Sequence, residues 1–291
     1  MADRLAELLR RFEIEAQVFH AGTLCGLNTL PAQDELGQLH LIRRGPVEVV
    51  HGNQSLNVDV PSVLLYPRPM AHRFITDAEA GADMVCANLR FEGGALNPIS
   101  SALPPFLCLP LASIEGATPV LEVLFDEAFA GRCGRLAVIN RLFEVVIIQI
   151  LRQLMESRLV KGGMLAGLSH ARLRSAIIAM HEAPERNWAL EDLAGLAGMS
   201  RSGFATTFRE VVGMTPGLYL QSWRIGLAQR ALRMGYPLKR IVAEVGYGSE
   251  AALSRAFKAQ TGVSPGQWRT SYAATQPAQR DGDSIALDAA P

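Results

Sequence analysis

No run of 18 apolar residues occurs in this 291-residue chain, although 49% of its residues are hydrophobic. A membrane-crossing helix needs about 20 such residues in succession, which excludes a helical membrane protein. Met1 to Glu15 alternates charge with Leu and carries no signal-like pattern, so the expectation is a cytoplasmic protein with no membrane partner. Charge of either sign is not in excess, with 28 Lys+Arg against 28 Asp+Glu. Cysteine is scarce as well. Cys25, Cys86, Cys108 and Cys133 stand at no zinc-finger spacing, and a reducing cytosol keeps them as thiols by default.

A repeat in the last third carries the information. Leu190 to Ala194, Gly198 to Ser202, Phe204, Phe208, Gly213 and Thr215-Pro216 return as Leu238 to Val242, Gly246 to Glu250, Leu253, Phe257, Gly262 and Ser264-Pro265. The offset is 48 residues from Gly198 to Gly246 and 49 from Phe204 to Leu253 onward, so one residue was gained in the turn while the helices kept register. Each copy predicts a short helix, a turn made possible by Gly, a Ser that caps the next helix, and a second amphipathic helix ended by Gly. That is a helix-turn-helix written twice. Leu220, Trp223, Leu227 and Ala231 share one face of a connecting helix from Pro216 to Met234, which holds the two copies at a fixed separation.

The balanced total charge hides an asymmetry. Residues 170–272 hold 13 Lys+Arg against 7 Asp+Glu, whereas residues 1–169 hold 14 against 18 and residues 273–291 hold 1 against 3. The basic part is the part with the repeat, which points to double-stranded DNA as partner. Arg201 opens the second helix of the first copy; Ser202, Ala205, Thr206 and Arg209 form a strip along it at helical spacing. Glu250, Ala251, Ser254, Arg255 and Lys258 do the same in the second copy. Arg255 is suited to bidentate reading of guanine and Glu250 to accepting from cytosine; Arg209 and Lys258 suit phosphates. Phe204, Phe208, Leu253 and Phe257 face the core.

At these residues the chain resembles the AraC/XylS family of bacterial transcription regulators. The most diagnostic stretch runs from Ile241 through Glu244-Val245-Gly246-Tyr247-Gly248-Ser249, Phe257-Lys258, Gly262 and Ser264-Pro265 to Trp268-Arg269, where the family more often has Tyr or Phe at the position of Trp268. The resemblance implies that the second helices of both copies enter successive major-groove segments, and that the protein activates transcription with RNA polymerase as a partner.

The first part reads as strands. Val47 to His51, Ser62 to Tyr66 and Asp83 to Leu89 are short apolar runs divided by turn residues at Gly52-Asn53, Pro67 to Pro69 and Glu79 to Gly81. Many short strands without intervening helices predict a sandwich or barrel. Pro61 to Arg68 with Met70 to Arg73 resembles the cupin-like sensory domain of AraC-type regulators. From Pro119 the pattern is helical; Val138 to Arg158 is apolar almost all round and is expected to be buried, either against its copy in a homodimer or as a seam against the sensory part. The expected fold class is α+β: a cupin-like β-barrel with dimerisation helices at 1–159, a linker at 160–169, an all-α double helix-turn-helix domain at 170–272 and a disordered tail at 273–291.

Enzymatic cupins hold a metal with a His-x-His pair and a nearby Glu, because a divalent ion needs converging ligands. His20, His40, His51 and His72 are all single, so neither catalysis, a metal nor another cofactor is expected, and a site made of Cys25, Cys86 and His72 has no support from spacing. His72 is assigned to an effector pocket. Thr23 to Gly26 and Met84 to Arg90 resemble a subgroup of AraC-type regulators activated by reactive chlorine species, which implies redox sensing by Cys25 and Cys86. Two accounts of the signal stay open: oxidation of those thiols, and a small organic effector in the pocket around His72.

Overall fold

The computed structural model describes residues 3–33, 35–92, 97–157, 160 and 162–275, with the backbone alone for 272–275. The chain divides into two compact units, one of residues 13–157 and one that joins residues 1–12 to residues from 158 onward. No helix among the described residues is long and apolar enough to cross a membrane.

The first unit is built on two antiparallel sheets. One orders β1 (Ile14–Leu24), β8 (Ala82–Phe91), β3 (Leu36–Arg44), β6 (Ser62–Tyr66) and β9 (Leu107–Pro110) as β1-β8-β3-β6-β9; the other orders β2 (Leu27–Leu30), β7 (His72–Ile75), β4 (Val47–His51) and β5 (Gln54–Val58) as β2-β7-β4-β5. Leu24, Leu30, Ile42, Val47, Val49, Val58, Leu64, Tyr66, Phe74, Met84 and Cys86 fill the space between them. β3, between two neighbours, is buried from Gly37 to Ile42 and so lacks the in-out alternation of an edge strand. After a short helix α2 (Pro98–Ala102), α3 (Thr118–Phe129) and α4 (Arg135–Glu156) pack on each other and on β1.

Of the two burials open to α4, the structure shows the seam within its own unit. Ile139, Phe143, Val146, Ile147, Ile150, Leu151, Leu154 and Met155 are buried within this chain, because α3 and β1 take most of the apolar surface. What stays exposed is a smaller set, Leu136, Val138 and Val145, with Val123 and Phe129 on α3.

The second unit is helical: α1 (Ala6–Arg11), α5 (Gly163–Ser169), α6 (Leu173–Glu182), α7 (Leu190–Leu196), α8 (Arg201–Val212), α9 (Pro216–Arg233), α10 (Leu238–Glu244), α11 (Glu250–Thr261) and α12 (Pro265–Thr275). Two stretches differ from the sequence expectation. Residues 160–169, read as linker, contain α5, whose Met164, Leu165 and Leu168 are buried and whose Gly167 lies so close to Ile177 and Val212 that a Cβ would stand 2.5 Å and 3.0 Å from their side chains. Glycines at 162, 163 and 167 disguised an apolar helical face. Residues 1–12, placed with the sensory part, sort with the helical unit. Of the expected tail, helix α12 reaches Thr275 and residues 276–291 lie outside the described residues, as do Arg158, Leu159 and Lys161.

Candidate nucleic-acid interface and sensory core

Each copy of the repeat forms two helices about a sharp turn. Gly198 and Gly246 turn the chain at φ +60° and +75°, in the left-handed region where an L side chain is strained. Gly246 is required twice over, since a Cβ there would sit 2.5 Å from the backbone of Glu185. Ser200 accepts a hydrogen bond from the Gly203 amide at 3.2 Å and Ser249 from the Ala252 amide at 3.1 Å, so both second helices, α8 and α11, begin on a side-chain cap. Both end on a left-handed glycine, Gly213 and Gly262. The inner faces are closed by Phe204, Phe208 and Val212 in α8 and by Leu253 and Phe257 in α11, with Trp268 meeting Phe257 at 6.0 Å between ring centroids.

The remaining face of each helix is available. Arg201, Ser202, Thr206 and Arg209 are exposed with Ala205 half-buried on α8; Glu250, Ala251, Arg255 and Lys258 are exposed with Ser254 half-buried on α11. Arg201 reaches Glu191 on α7 at 3.1 Å, an exposed pair of small energetic weight. Among the described residues Arg209, Arg255 and Lys258 form no ion pair, so their charge is uncommitted. The helix joining the modules, α9, buries Leu220, Trp223, Leu227 and Ala231 as its spacing required.

In the first unit a single row crosses the five-stranded sheet. His20 of β1 pairs with Cys86 of β8, Cys86 with His40 of β3, His40 with Leu64 of β6, and Leu64 with Cys108 of β9. Residues directly opposite on adjacent strands project to the same face, so these five share one side. From the other sheet His72 brings its Nε2 to 3.0 Å from Nε2 of His40 and its Nδ1 to 2.9 Å from the Met70 carbonyl oxygen, while its ring stacks on Tyr66 at 4.1 Å. The carbonyl can only accept, so His72 carries its proton on Nδ1. Its Nε2 then accepts from His40, which leaves Nδ1 of His40 an acceptor, buried and without a partner. Burial pushes both imidazoles down, His72 to about 4 and His40 well below the usual histidine range, so the pair is neutral at physiological pH. His51 joins the same cluster through its Nδ1, 3.3 Å from the Tyr66 hydroxyl.

The sequence saw four isolated histidines; the facing of the two sheets brings His40 and His72 into contact, and strand pairing through Cys86 aligns His20 with His40. No local pattern signals this, because register is set by distant residues. Among the described residues no three His, Cys, Asp or Glu side chains converge as metal ligands would.

The two thiols named for redox sensing are not brought together. Cys86 is fully buried, and burial alone pushes its thiol far above the ordinary range. Cys25 is exposed just past the end of β1, its Sγ 3.9 Å from the Glu79 carbonyl oxygen. Leu24 pairs with Ala82 and His20 with Cys86, so Cys25 lies about five residues along the ladder from Cys86, roughly 16 Å at the usual strand rise. A disulfide needs Cα atoms about 4.4–6.8 Å apart. Cys133 is exposed and Cys108 half-buried, both as free thiols.

A sheet-rich unit followed by two capped helix-turn-helix modules defines the class: a helix-turn-helix DNA-binding regulator with a cupin-type first domain. Residues 3–156 match the family described as Cupin and residues 193–271 the Helix-turn-helix domain. The chain is 28% identical to an HTH-type transcriptional regulator of Haemophilus influenzae over 81% of this chain and 86% of that one. It is 31% identical to the RCS-specific HTH-type transcriptional activator RclR of Escherichia coli, covering 72% of this chain and 75% of the relative. The solved DNA-binding domain of AdpA, in complex with a target DNA, is 31% identical and covers 38% of this chain and 99% of its own, with a TM-score of 0.36. The chain belongs to the AraC-type transcriptional regulators with an N-terminal cupin domain. It is a DNA-binding regulator of transcription, as its relatives are, and not an enzyme.

Proposed function

We propose that this regulator activates transcription with RNA polymerase as partner and works as a homodimer, its α8 and α11 reading neighbouring major-groove segments and its barrel sensing an oxidant. The observation that carries the DNA reading is the pair of serine-capped helices whose outward faces hold Arg209, Arg255 and Lys258 free of carboxylate partners. The short polar strip on α8, Ser202 to Thr206, reads more weakly than α11, relying on methyl and water contacts.

For the signal, the favoured chemistry is oxidation of Cys86 by a small neutral oxidant such as hypochlorous acid. The thiol sulfur takes the chlorine, the O–Cl bond breaks, and the thiol proton leaves with the hydroxyl as water, giving a sulfenyl chloride. A second thiol displaces chloride from it to form a disulfide, and water displaces it to form a sulfenic acid. The separation of about five residues along the ladder between Cys25 and Cys86 favours the second outcome unless the end of β1 moves. Cys86 is fully packed, so an added oxygen must displace its neighbours, and β1 offers a weak point: a register shift between Val18 and His20 directly beside it. The Val18 amide at that bulge donates to Oδ1 of Asn140 on α4 at 2.9 Å, a route from the oxidised row to the helices. Similarity to the RCS-specific activator RclR of Escherichia coli supports the same reading.

The second reading is a small organic effector around His72, which the free Nδ1 acceptor of buried His40 favours. Mass mapping of the four thiols after one equivalent of hypochlorous acid, with operator binding followed in parallel, separates the two. Modification of Cys86 accompanied by a change in DNA binding is expected. A full response from the Cys25→Ser, Cys86→Ser double variant overturns the thiol account and leaves the organic effector near His72.

A further inference from the structure

A continuous line of rings runs through the helical unit from its first helix to the first reading helix. Leu5, Leu8 and Phe12 stand at i, i+3 and i+7 around α1 and are all buried, with Phe12 2% exposed. The Phe12 ring meets Trp223 of α9 edge-on at 5.2 Å and 64°. Trp223 stacks on His181 of α6 at 3.7 Å and 13°. His181 stacks on Tyr219 of α9 at 5.8 Å, and its Nε2 lies 2.7 Å from the Tyr219 hydroxyl. Tyr219 meets Phe208 edge-on at 5.5 Å, and Phe208 meets Phe204 at 5.5 Å. Phe208 and Phe204 form the inner face of α8, opposite the strip with Thr206 and Arg209.

Edge-to-face and offset ring pairs have preferred geometries, so a buried chain of them transmits the placement of one end to the other. The end at α1 is itself fixed. Phe12 is the last residue of the helical unit and Glu13 the first of the barrel. Glu13 is pinned there, its carbonyl oxygen accepting from the Glu92 amide at 2.9 Å.

We propose that Phe12 is a positioning residue for DNA reading: through Trp223, His181, Tyr219 and Phe208 it sets the pose of α8 in the groove. The inference rests on the assignment of α8 as a reading helix, which Arg209→Ala tests separately.

The experiment compares full-length wild type with Phe12→Leu, Phe12→Ala and Arg209→Ala on an operator selected from random-sequence DNA by the wild-type protein. Footprinting resolves the half-site read by α8 from that read by α11, and thermal melting reports the folded fraction. Phe12→Leu keeps an apolar side chain but loses the ring pair. It is expected to weaken the α8 half-site by about two- to tenfold, the change that one such ring pair carries, and to leave the α11 half-site unaltered. Phe12→Ala is expected to do the same more strongly with a lower melting temperature. If both half-sites weaken together in proportion to lost folded protein, or if neither Phe12 variant alters the α8 half-site while Arg209→Ala does, the positioning role is wrong. If Arg209→Ala changes neither half-site, the assignment of α8 itself fails.

Discussion

His181 is held neutral in the core of the helical unit. Burial, helped by the positive charge of Arg11, lowers its pKa from the ordinary 6.5 to about 3. Between those values the unfolded chain binds a proton that the folded chain refuses, so stability is constant above about pH 6.5 and falls on acidification through the window down to about 3. The slope within it is one proton, a tenfold change in the folding equilibrium per pH unit. Its three tryptophans, at 188, 223 and 268, all lie in the helical unit, so their fluorescence reports unfolding there. Denaturant titrations at pH 7 and pH 5 are expected to show this loss in wild type and a shallower one in His181→Gln, whose amide does not titrate in this range. An undiminished loss in the variant contradicts the assignment. At this scale the sequence was informative wherever chemistry is local. Ser200 and Ser249 cap their helices by accepting from an amide three residues on, and Gly198 and Gly246 turn the chain where their neighbours demand it. His40 and His72, 32 residues apart, meet only because β3 and β7 face each other across the barrel, and nothing near either residue encodes that.

Among the elements, those with a strong period or a clean boundary were readable. β4 spans Val47–His51 and β6 spans Ser62–Tyr66, as their flanking turn residues required, and α9 runs from the proline at 216 to Arg233. α5 was missed because its glycines mimic a linker, although Met164, Leu165 and Leu168 carry an apolar face. α4 was found with what covers it left open, since periodicity cannot say which apolar surface is covered by the same chain. That distinction decides the test of assembly. Leu151 is fully buried, so Glu there unfolds the unit, whereas Val138 and Val145 are 40% and 38% exposed on the outer face of α4. If that face with Leu136 forms the homodimer, Val138→Glu with Val145→Glu yields a folded monomer in analytical ultracentrifugation while wild type is a dimer. Wild type sedimenting as a monomer at all concentrations removes the dimer proposal.

On the scale of the whole molecule, the chain order and the unit order are not the same. The first twelve residues complete the helical unit, so the barrel is carried between two segments of its DNA-reading partner rather than placed ahead of it. A pass along the sequence assigns residues to the nearest recognisable block, and Leu5, Leu8 and Phe12 carried no sign of a partner some 200 residues away. The double repeat, by contrast, was legible throughout, because it is local, doubled and set in the basic part of a neutral chain. Its central consequence is the proposal that α11 reads bases with Arg255 and holds phosphate with Lys258. The most direct measurement is operator affinity across a salt series for Arg255→Ala and Lys258→Ala in the full-length protein. Arg255→Ala should cost about 1–3 kcal/mol and relax sequence preference at one position with the salt slope little changed. Lys258→Ala should weaken specific and random DNA alike and lower the salt slope by about 1. Unchanged affinity and slope in both variants would contradict the reading of α11 as a DNA-binding helix.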